Sequence, residues 1–146
     1  MKMNFKKIDK MAVTPSYGSE YSAGADLYAV VDGEGIEIRP GETKLIHTGI
    51  AVEIPEGFVG LIFARSGLAT KKGLAPANKV GVIDADYRGE LMVALFNQSE
   101  EDKTVAQGER IAQMAIVPFL KAEYEEVEEL TDTKRGVGGF GSTGTK

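Results

Sequence analysis

A candidate catalytic group is the carboxylate of Asp84, in the segment NKVGVIDADYRGEL at positions 78–91. An apolar strand precedes it and the letters ADYRG indicate a turn, which predicts a hairpin with a carboxylate near its tip. If Val82 and Ile83 partly desolvate this carboxylate, it acts as a general base for water, because burial raises basicity. The alternative is a turn aspartate that hydrogen-bonds its own backbone, with Tyr87 as ordinary packing.

A second candidate is the run Arg65-Ser66-Gly67, which follows the apolar segment FVGLIFA and opens the segment RSGLATKKG. Ser66 is predicted to be the N-cap of a short helix, and Gly73 to be its left-handed stop. A guanidinium, a hydroxyl and unpaired amides at the start of a helix together suit an anion. The alternative is an ordinary strand-to-helix cap with a surface arginine.

The third candidate is the glycine-rich terminus RGVGGFGSTG at 135–144. Closely spaced glycines let backbone amides approach phosphate oxygens, Arg135 adds a cation, and Ser142 and Thr143 add hydroxyl donors. Phe140 offers a flat face on which a nucleobase stacks. The closing letters GFGSTGTK are not a phosphate loop, because the last two residues are transposed and no helix follows. The alternative is a frayed terminus.

Two polar residues lie in apolar surroundings. Asp26 in SAGADLYA is flanked by small and apolar residues, and Gln113 in GERIAQ lies in an apolar strand. Such residues face a site or are hydrogen-bonded in the core. The single histidine, His47, lies in the strand-like run KLIHTGIAVEI and brings no catalytic partner with it, so we interpret it as structural.

Composition excludes several functional classes. The 146 residues contain no cysteine, which rules out disulfides, zinc ribbons and thiol nucleophiles and favours a reducing compartment. The net charge of −5 argues against a general nucleic-acid surface. The sequence predicts neither a secretory signal nor a membrane span. A length of 146 residues is that of one domain.

The elements that must position these residues are short segments rich in branched and aromatic residues, separated by glycine, proline and aspartate. This pattern predicts an all-β sandwich or barrel with one short helix. Several segments are apolar on both faces, which suits strands packed between sheets or covered by another subunit. EYEEVEEL fits a helix as well as a bulged strand, so 122–130 stays open. The predicted strands are 44–54, 58–64, 79–83, 91–96 and 110–118.

In this order, SAGADLYA, RSGLATKKGL, NKVGVIDADYRGEL, GERIAQM and RGVGGFGSTG resemble the five motifs of the trimeric dUTP diphosphatases, the dUTPases. The resemblance implies a jelly-roll-like distorted β-barrel that assembles as a homotrimer with active sites at subunit interfaces. It divides the chain into a β domain at 1–134 and a flexible glycine-rich arm at 135–146 that closes over an active site of the trimer.

The resemblance also implies the reaction and the residue roles. dUTP is hydrolysed to dUMP and pyrophosphate by attack of water on the α-phosphate, which limits uracil incorporation into DNA and supplies dUMP for thymidylate synthesis. Asp84 resembles the base for this water, Gln113 lies near the water and the α-phosphate, and Asp26 helps organise the site. The implied substrate ligands are Arg65, Ser66 and Gly67 for phosphates; Asn78, Gly81, Val82, Ile83 and Asp84 for uracil; Tyr87 and Met92 for the nucleoside; and Arg135, Phe140, Gly141, Ser142 and Thr143 in the arm.

A magnesium ion is expected on the triphosphate, held by phosphates and water with no direct protein ligand, because an acidic protein does not neutralise four phosphate charges alone. The setting implied is cytoplasmic, with no nucleic-acid or membrane partner. A deoxycytidine triphosphate deaminase shares the fold, but would need a glutamate in the hairpin and a longer chain. A nucleotide-sensing regulator is the remaining alternative.

Overall fold

The computed structural model describes residues 1–139, so Phe140, Gly141, Ser142 and Thr143 lie outside the described part of the chain. Within residues 1–139 the chain forms eleven strands and one helix, which confirms the all-β prediction. In chain order the elements are β1 (Asn4–Lys7), β2 (Ser16–Tyr17), β3 (Ala25–Tyr28), β4 (Ile36–Ile38), β5 (Thr43–Glu53), β6 (Phe58–Phe63), α1 (Ser66–Lys72), β7 (Leu74–Pro76), β8 (Val80–Ile83), β9 (Glu90–Asn97), β10 (Lys103–Val105) and β11 (Arg110–Pro118).

The strands form two large antiparallel sheets and one small sheet. Their orders are β1-β5-β9-β7, β2-β3-β11-β6-β8 and β10-β4. Both large sheets contribute to one apolar core, with Ile46 and Leu91 from the first and Leu27, Ile62 and Met114 from the second. Two packed antiparallel sheets around one core form the jelly-roll-like arrangement that the resemblance implies.

The N-cap of helix α1 lies one residue earlier than predicted. Arg65, with extended backbone, is the N-cap, and Ser66 is the first helical residue, so the prediction of a Ser66 cap is wrong. No side-chain hydrogen bond caps this end of the helix. Gly73 ends the helix as predicted, with a φ of +68° and its amide donating to the carbonyl of Leu68.

The part of the five-stranded sheet formed by β6, β8 and the end of β11 is apolar on both faces. Gly60, Ile62, Gly81 and Met114 face the core, so alternation places the intervening residues on the opposite side. An antiparallel sheet usually shows polar residues on its solvent face. This face, called here the outer face, instead consists of Val59, Leu61, Phe63, Val80, Val82, Ala115 and Val117.

After β11 the chain leaves the two sheets. Residues 122–130 form neither the helix nor the bulged strand left open by the sequence. Leu120, Tyr124 and Leu130 are 98%, 96% and 87% exposed. No helix among the described residues has the length and hydropathy needed to cross a bilayer.

Candidate active site

A polar depression of about 170 Å³ lies where β3, β11 and the start of α1 meet. Five residues singled out from the sequence for phosphate binding or catalysis line it: Asp26, Arg65, Ser66, Gly67 and Gln113. Its walls are Gly18, Ser22, Gly24, Asp26, Arg65, Ser66, Gly67, Arg110 and Gln113. The structure therefore brings the first, second and fourth motifs together.

Asp26 anchors two arginines in the wall of this depression. Asp26 is only 7% exposed, and its carboxylate accepts hydrogen bonds from Arg65 Nε at 2.6 Å and from Arg110 NH1 at 3.3 Å. A nearly buried carboxylate needs such partners, because removing it from water is costly. Two guanidinium groups against one carboxylate leave this wall with a net positive charge, which suits an anion.

Gln113 is held in the same depression by its backbone register and by its amide. It pairs with Asp26 on one side and with Phe63 on the other, and its Nε2 donates to the carbonyl of Ala64 at 2.9 Å. A Cβ on Gly24 would lie only 2.8 Å from Gln113 Oε1, so glycine at position 24 makes room for the amide. Gln113 is thus both hydrogen-bonded in the sheet and exposed to the depression, which reconciles the two interpretations of the sequence.

A second depression, of about 250 Å³, lies beside the predicted hairpin and is called here the hairpin depression. Its walls are mainly apolar, with a carboxylate from each side of the turn. They are formed by Leu45, Val82, Ile83, Asp84, Tyr87, Glu90 and Met92. A narrower depression of about 100 Å³ adjoins it and is lined in part by Asn78, Gly81 and Met92.

Asp84 is exposed in the chain, so the expected desolvation by Val82 and Ile83 is wrong for a single subunit. The physical reason is the turn: Asp84 lies beyond the last residue of β8, and its backbone carbonyl accepts the amide of Tyr87 at 3.2 Å. Its carboxylate has no hydrogen-bonding partner among the described residues, so the alternative of a self-bonded turn aspartate does not hold there either.

Tyr87 is held in place by contacts within the chain and is also partly exposed. Its hydroxyl donates to the backbone carbonyl of Glu90 at 2.9 Å, and its ring covers Gly89 so closely that a Cβ there would overlap it. The residue is nevertheless 40% exposed and forms part of the wall of the hairpin depression. The ring therefore has a fixed orientation and an accessible face.

One chain does not bring Asp84 to the polar depression. Ile83, the residue before Asp84, lies opposite Gly60 on β6, whereas Gln113 lies opposite Phe63 from the other side. At about 3.3 Å per residue along a strand and about 4.8 Å between strands, Ile83 and Gln113 are about 14 Å apart. A carboxylate and a water molecule bound to it span only a few ångströms. In one chain, Asp84 and the residues of the polar depression therefore lie in two separate places, called here the hairpin half-site and the polar half-site.

In the predicted arm, the described residues show only local contacts. Arg135 donates from Nε to the carbonyl of Gly138 at 2.7 Å and lines neither depression. The other arm residues chosen from the sequence begin at position 140, outside the described residues.

Sequence reasoning missed Arg110 and Glu90. Arg110 is the first residue of β11, and simple alternation from Gln113 would place it on the core face. A register irregularity between Arg110 and Ala112 turns it to the face of Asp26 instead. Glu90 had no signal beyond its place at the start of β9, while His47, judged structural, contacts it through Nδ1 at 2.8 Å.

No group of three or more histidine, aspartate or glutamate side chains among the described residues has the arrangement of a metal site. Asp26 is already engaged by two arginines. The donor set thus offers cations and amides to an anion rather than carboxylates to a metal.

The chain is similar to proteins of one known family. A family model described as dUTPase matches residues 10–144. A deoxyuridine 5'-triphosphate nucleotidohydrolase of Hydrogenobaculum sp. is 50% identical over 146 residues, covering 100% of both chains. The dUTPase of Staphylococcus bacteriophage 80alpha with dUPNHPP is 32% identical, with a TM-score of 0.86 and 99% of both chains covered.

A mutant dUTPase from phage phi11 of S. aureus, described with a structural Mg(II) ion, is 28% identical, with a TM-score of 0.74 over 88% of this chain and 98% of the phage chain. The family model covers nearly all of the sequence, and these relatives are covered over 98% or more of their own length. The chain belongs to the dUTPase family.

Proposed function

We propose that this chain hydrolyses dUTP to dUMP and pyrophosphate, using the polar depression for the phosphates and the hairpin depression for the nucleoside. The observation that carries the proposal is the pair of arginines, Arg65 and Arg110, that Asp26 holds in one wall beside Gln113. The activity would limit uracil incorporation into DNA and supply dUMP for thymidylate synthesis.

The polar depression has the chemistry that a triphosphate requires. Arg65 and Arg110 supply guanidinium donors whose positions are fixed by one buried carboxylate. Because these donors are already oriented, they lose little conformational entropy when an anion binds. Ser66 and Gly67 are exposed at its edge, and the Ser66 hydroxyl is not used to cap α1. In this arrangement Asp26 is a positioning residue, and Arg65, Ser66 and Gly67 contact phosphate oxygens.

Asp84 is the base in the proposed reaction. Its carboxylate accepts a proton from water as the water oxygen forms a bond to the α-phosphorus. The bond from that phosphorus to the bridging oxygen of the β-phosphate breaks, and pyrophosphate leaves with the electron pair. Gln113, near the water and the α-phosphate, orients the attack. General-base assistance of this kind contributes about 10²–10⁴ in rate.

The hairpin suits recognition of uracil by its edges. β8 is an edge strand of its sheet, so its outward amides and carbonyls lack strand partners within the described chain. A Cβ on Gly81 would lie 3.2 Å from Ile62 Cβ and 3.5 Å from Asn78 Nδ2, so the walls there are close. The backbone from Gly81 through Val82 and Ile83 to Asp84, with Asn78, would read uracil and exclude a methyl group.

The nucleoside sugar would lie against Tyr87 and Met92. The ring of Tyr87 has an accessible face in the hairpin depression, and Met92 lines both this depression and the narrower one. A ring in contact with the 2′ carbon leaves no room for a hydroxyl, which would favour dUTP over UTP.

A homotrimer with sites between subunits would join the two half-sites. The register places Ile83 about 14 Å from Gln113 in one chain, so Asp84 of one copy must meet the polar depression of another. The apolar outer face supports this, since a neighbouring copy would cover it. A ring of identical copies supplies equivalent composite sites around its axis.

The arm at 135–146 completes the proposed site. Arg135, Gly141, Ser142 and Thr143 would bind phosphates and Phe140 would stack on uracil. The exposure of residues 119–137 supports this role, because these side chains are not buried against the sheets of their own chain. Closure by such a segment would exclude water around the reacting phosphate.

Magnesium fits this site as a companion of the substrate. The polar depression offers cations, an amide and hydroxyls but no free carboxylate pair, so phosphate oxygens and water would hold the ion. When bound, the ion neutralises part of the triphosphate charge and of the charge on the leaving pyrophosphate. A net charge of −5 and the absence of cysteine suit a cytoplasmic protein without nucleic-acid or membrane partners.

The test is incubation with dUTP, dCTP, dTTP and UTP in turn, with magnesium, followed by assay of pyrophosphate, nucleoside monophosphate and ammonia. We expect pyrophosphate and dUMP from dUTP and little product from the others. Ammonia from dCTP would show a deaminase instead. Tight dUTP binding without product would show a regulator, and either result would overturn the proposal.

A further inference from the structure

Strand β5 carries a bulge opposite the start of β9. His47 pairs with Met92 and Ala51 pairs with Glu90, so three residues of β5 lie opposite Leu91 alone. A bulge leaves backbone amides without ladder partners, and half-buried amides of this kind need another acceptor. The bulge is therefore stable only if a neighbouring group accepts from it.

The Glu90 side chain is that acceptor. Its Oε1 accepts the amides of Gly49 at 2.7 Å and Thr48 at 3.2 Å, and its Oε2 contacts His47 Nδ1 at 2.8 Å. The Thr48 hydroxyl donates to the carbonyl of Leu91 at 2.6 Å, closing the bulge from the other direction. The Glu90 side chain is 17% exposed and both of its oxygens are engaged, so residue 90 is fixed relative to β5.

The backbone of the same residue holds the tyrosine of the hairpin depression. The Tyr87 hydroxyl donates to the Glu90 carbonyl at 2.9 Å, and the ring lies over Gly89. The side chain of Glu90 thus fixes its own carbonyl, and this carbonyl fixes the ring. Glu90 also lines the hairpin depression with Tyr87 and Met92.

We propose that Glu90 is a positioning residue for sugar selection. By hydrogen-bonding the β5 bulge to the start of β9, it holds the Tyr87 ring close enough to the 2′ carbon of the bound sugar to admit deoxyribose and reject ribose. The inference rests on the proposed function, because it concerns the sugar of the proposed substrate. It assigns to Glu90 no contact with the reacting phosphate. Loss of the carboxylate lets residue 90 and the ring move together, which opens space for a 2′-hydroxyl.

The test compares Glu90→Gln, Glu90→Ala, Tyr87→Phe and the Glu90→Ala/Tyr87→Phe double variant, with Glu34→Gln, at an exposed turn, as the matched control. For each, kcat/KM is measured for dUTP and for UTP, together with Tm. We expect Glu90→Ala and Tyr87→Phe each to lower the ratio of kcat/KM for dUTP to kcat/KM for UTP by about 3- to 10-fold, which is the range expected for one lost hydrogen bond. Glu90→Gln should narrow it less, because its amide oxygen still accepts from the bulge.

The double variant tests whether Glu90 affects the selectivity for dUTP over UTP through Tyr87. If Glu90 acts through Tyr87, the double variant narrows the ratio no further than the larger single effect. A lower Tm with an unchanged ratio in Glu90→Gln and Glu90→Ala would show a purely structural role and overturn the inference. Additive effects would overturn it as well. Should Glu90→Ala not fold, the ratio in Glu90→Gln compared with that in Tyr87→Phe still tests the inference, and failure of the unmodified chain to hydrolyse dUTP would refute the proposed function instead.

Discussion

Two inactive variants of this chain should restore activity when they are mixed in one oligomer. Asp84→Asn removes the base from the hairpin half-site. Arg65→Gln removes a cation from the polar half-site while keeping a side-chain hydrogen-bond donor near Asp26. Because the register separates Ile83 from Gln113 by about 14 Å, each variant would damage a half-site that, in the proposed homotrimer, another copy completes.

The size of the recovery follows from this separation. In an equal random mixture, about half of the hairpins carry an intact Asp84 and about half of the polar depressions carry an intact Arg65. A site formed between two copies therefore has both intact in about a quarter of cases. A site formed within one chain would have both intact in none, since every chain carries one of the two substitutions.

The assay is pyrophosphate release from dUTP after the two variants are denatured together and refolded at equal concentration. Each variant refolded alone is the control for residual activity, and size-exclusion chromatography checks that assembly is equal in all samples. Recovery near a quarter of the unmodified rate supports composite sites. A mixture no more active than the separate variants, with normal assembly, would refute the reasoning from the register.

Three further results are expected. Asp84→Asn should lower kcat by about 10²–10⁴ with dUTP binding retained, while Asp86→Asn, in the same exposed turn, should change it little; equal effects would contradict the base assignment. Tyr87→Ala should reduce the dUTP/UTP ratio of kcat/KM, and an unchanged ratio would make the tyrosine packing alone. Deletion of 135–146 should leave Tm nearly unchanged but abolish most activity, whereas near-normal turnover of the truncated chain would exclude a closing arm.

The long strands could be predicted from the sequence because each has enough residues to show its pattern. The segments predicted at 44–54, 58–64 and 110–118 are observed at Thr43–Glu53, Phe58–Phe63 and Arg110–Pro118. The strands that were missed have two to four residues, fewer than alternation needs to be recognised. Their positions depend on pairing with distant strands, which a local pattern does not contain.

The candidate site was predictable in its residue types and less so in its geometry. Asp26 had to be hydrogen-bonded because a carboxylate among apolar residues is costly, and the structure shows two arginines on it. Arg110 was missed because the register irregularity beside it changes the face it occupies. The distance between Asp84 and Gln113 is a property of three paired strands, so no spacing along the chain encodes it.

The exposure of Asp84 has a physical advantage for a protein of this design. A carboxylate buried in the single chain without a partner would weaken folding, because its loss of water is uncompensated. Asp26 avoids that cost with two guanidinium groups, but a base paired in this way would not be available to a water molecule. Because Asp84 lies in an exposed turn and Arg65 lies beyond the far end of β6, the chain folds with the carboxylate of its proposed base still hydrated. In the proposed homotrimer, water would leave the Asp84 carboxylate only on assembly and substrate binding, when the groups around that carboxylate are those of the proposed reaction.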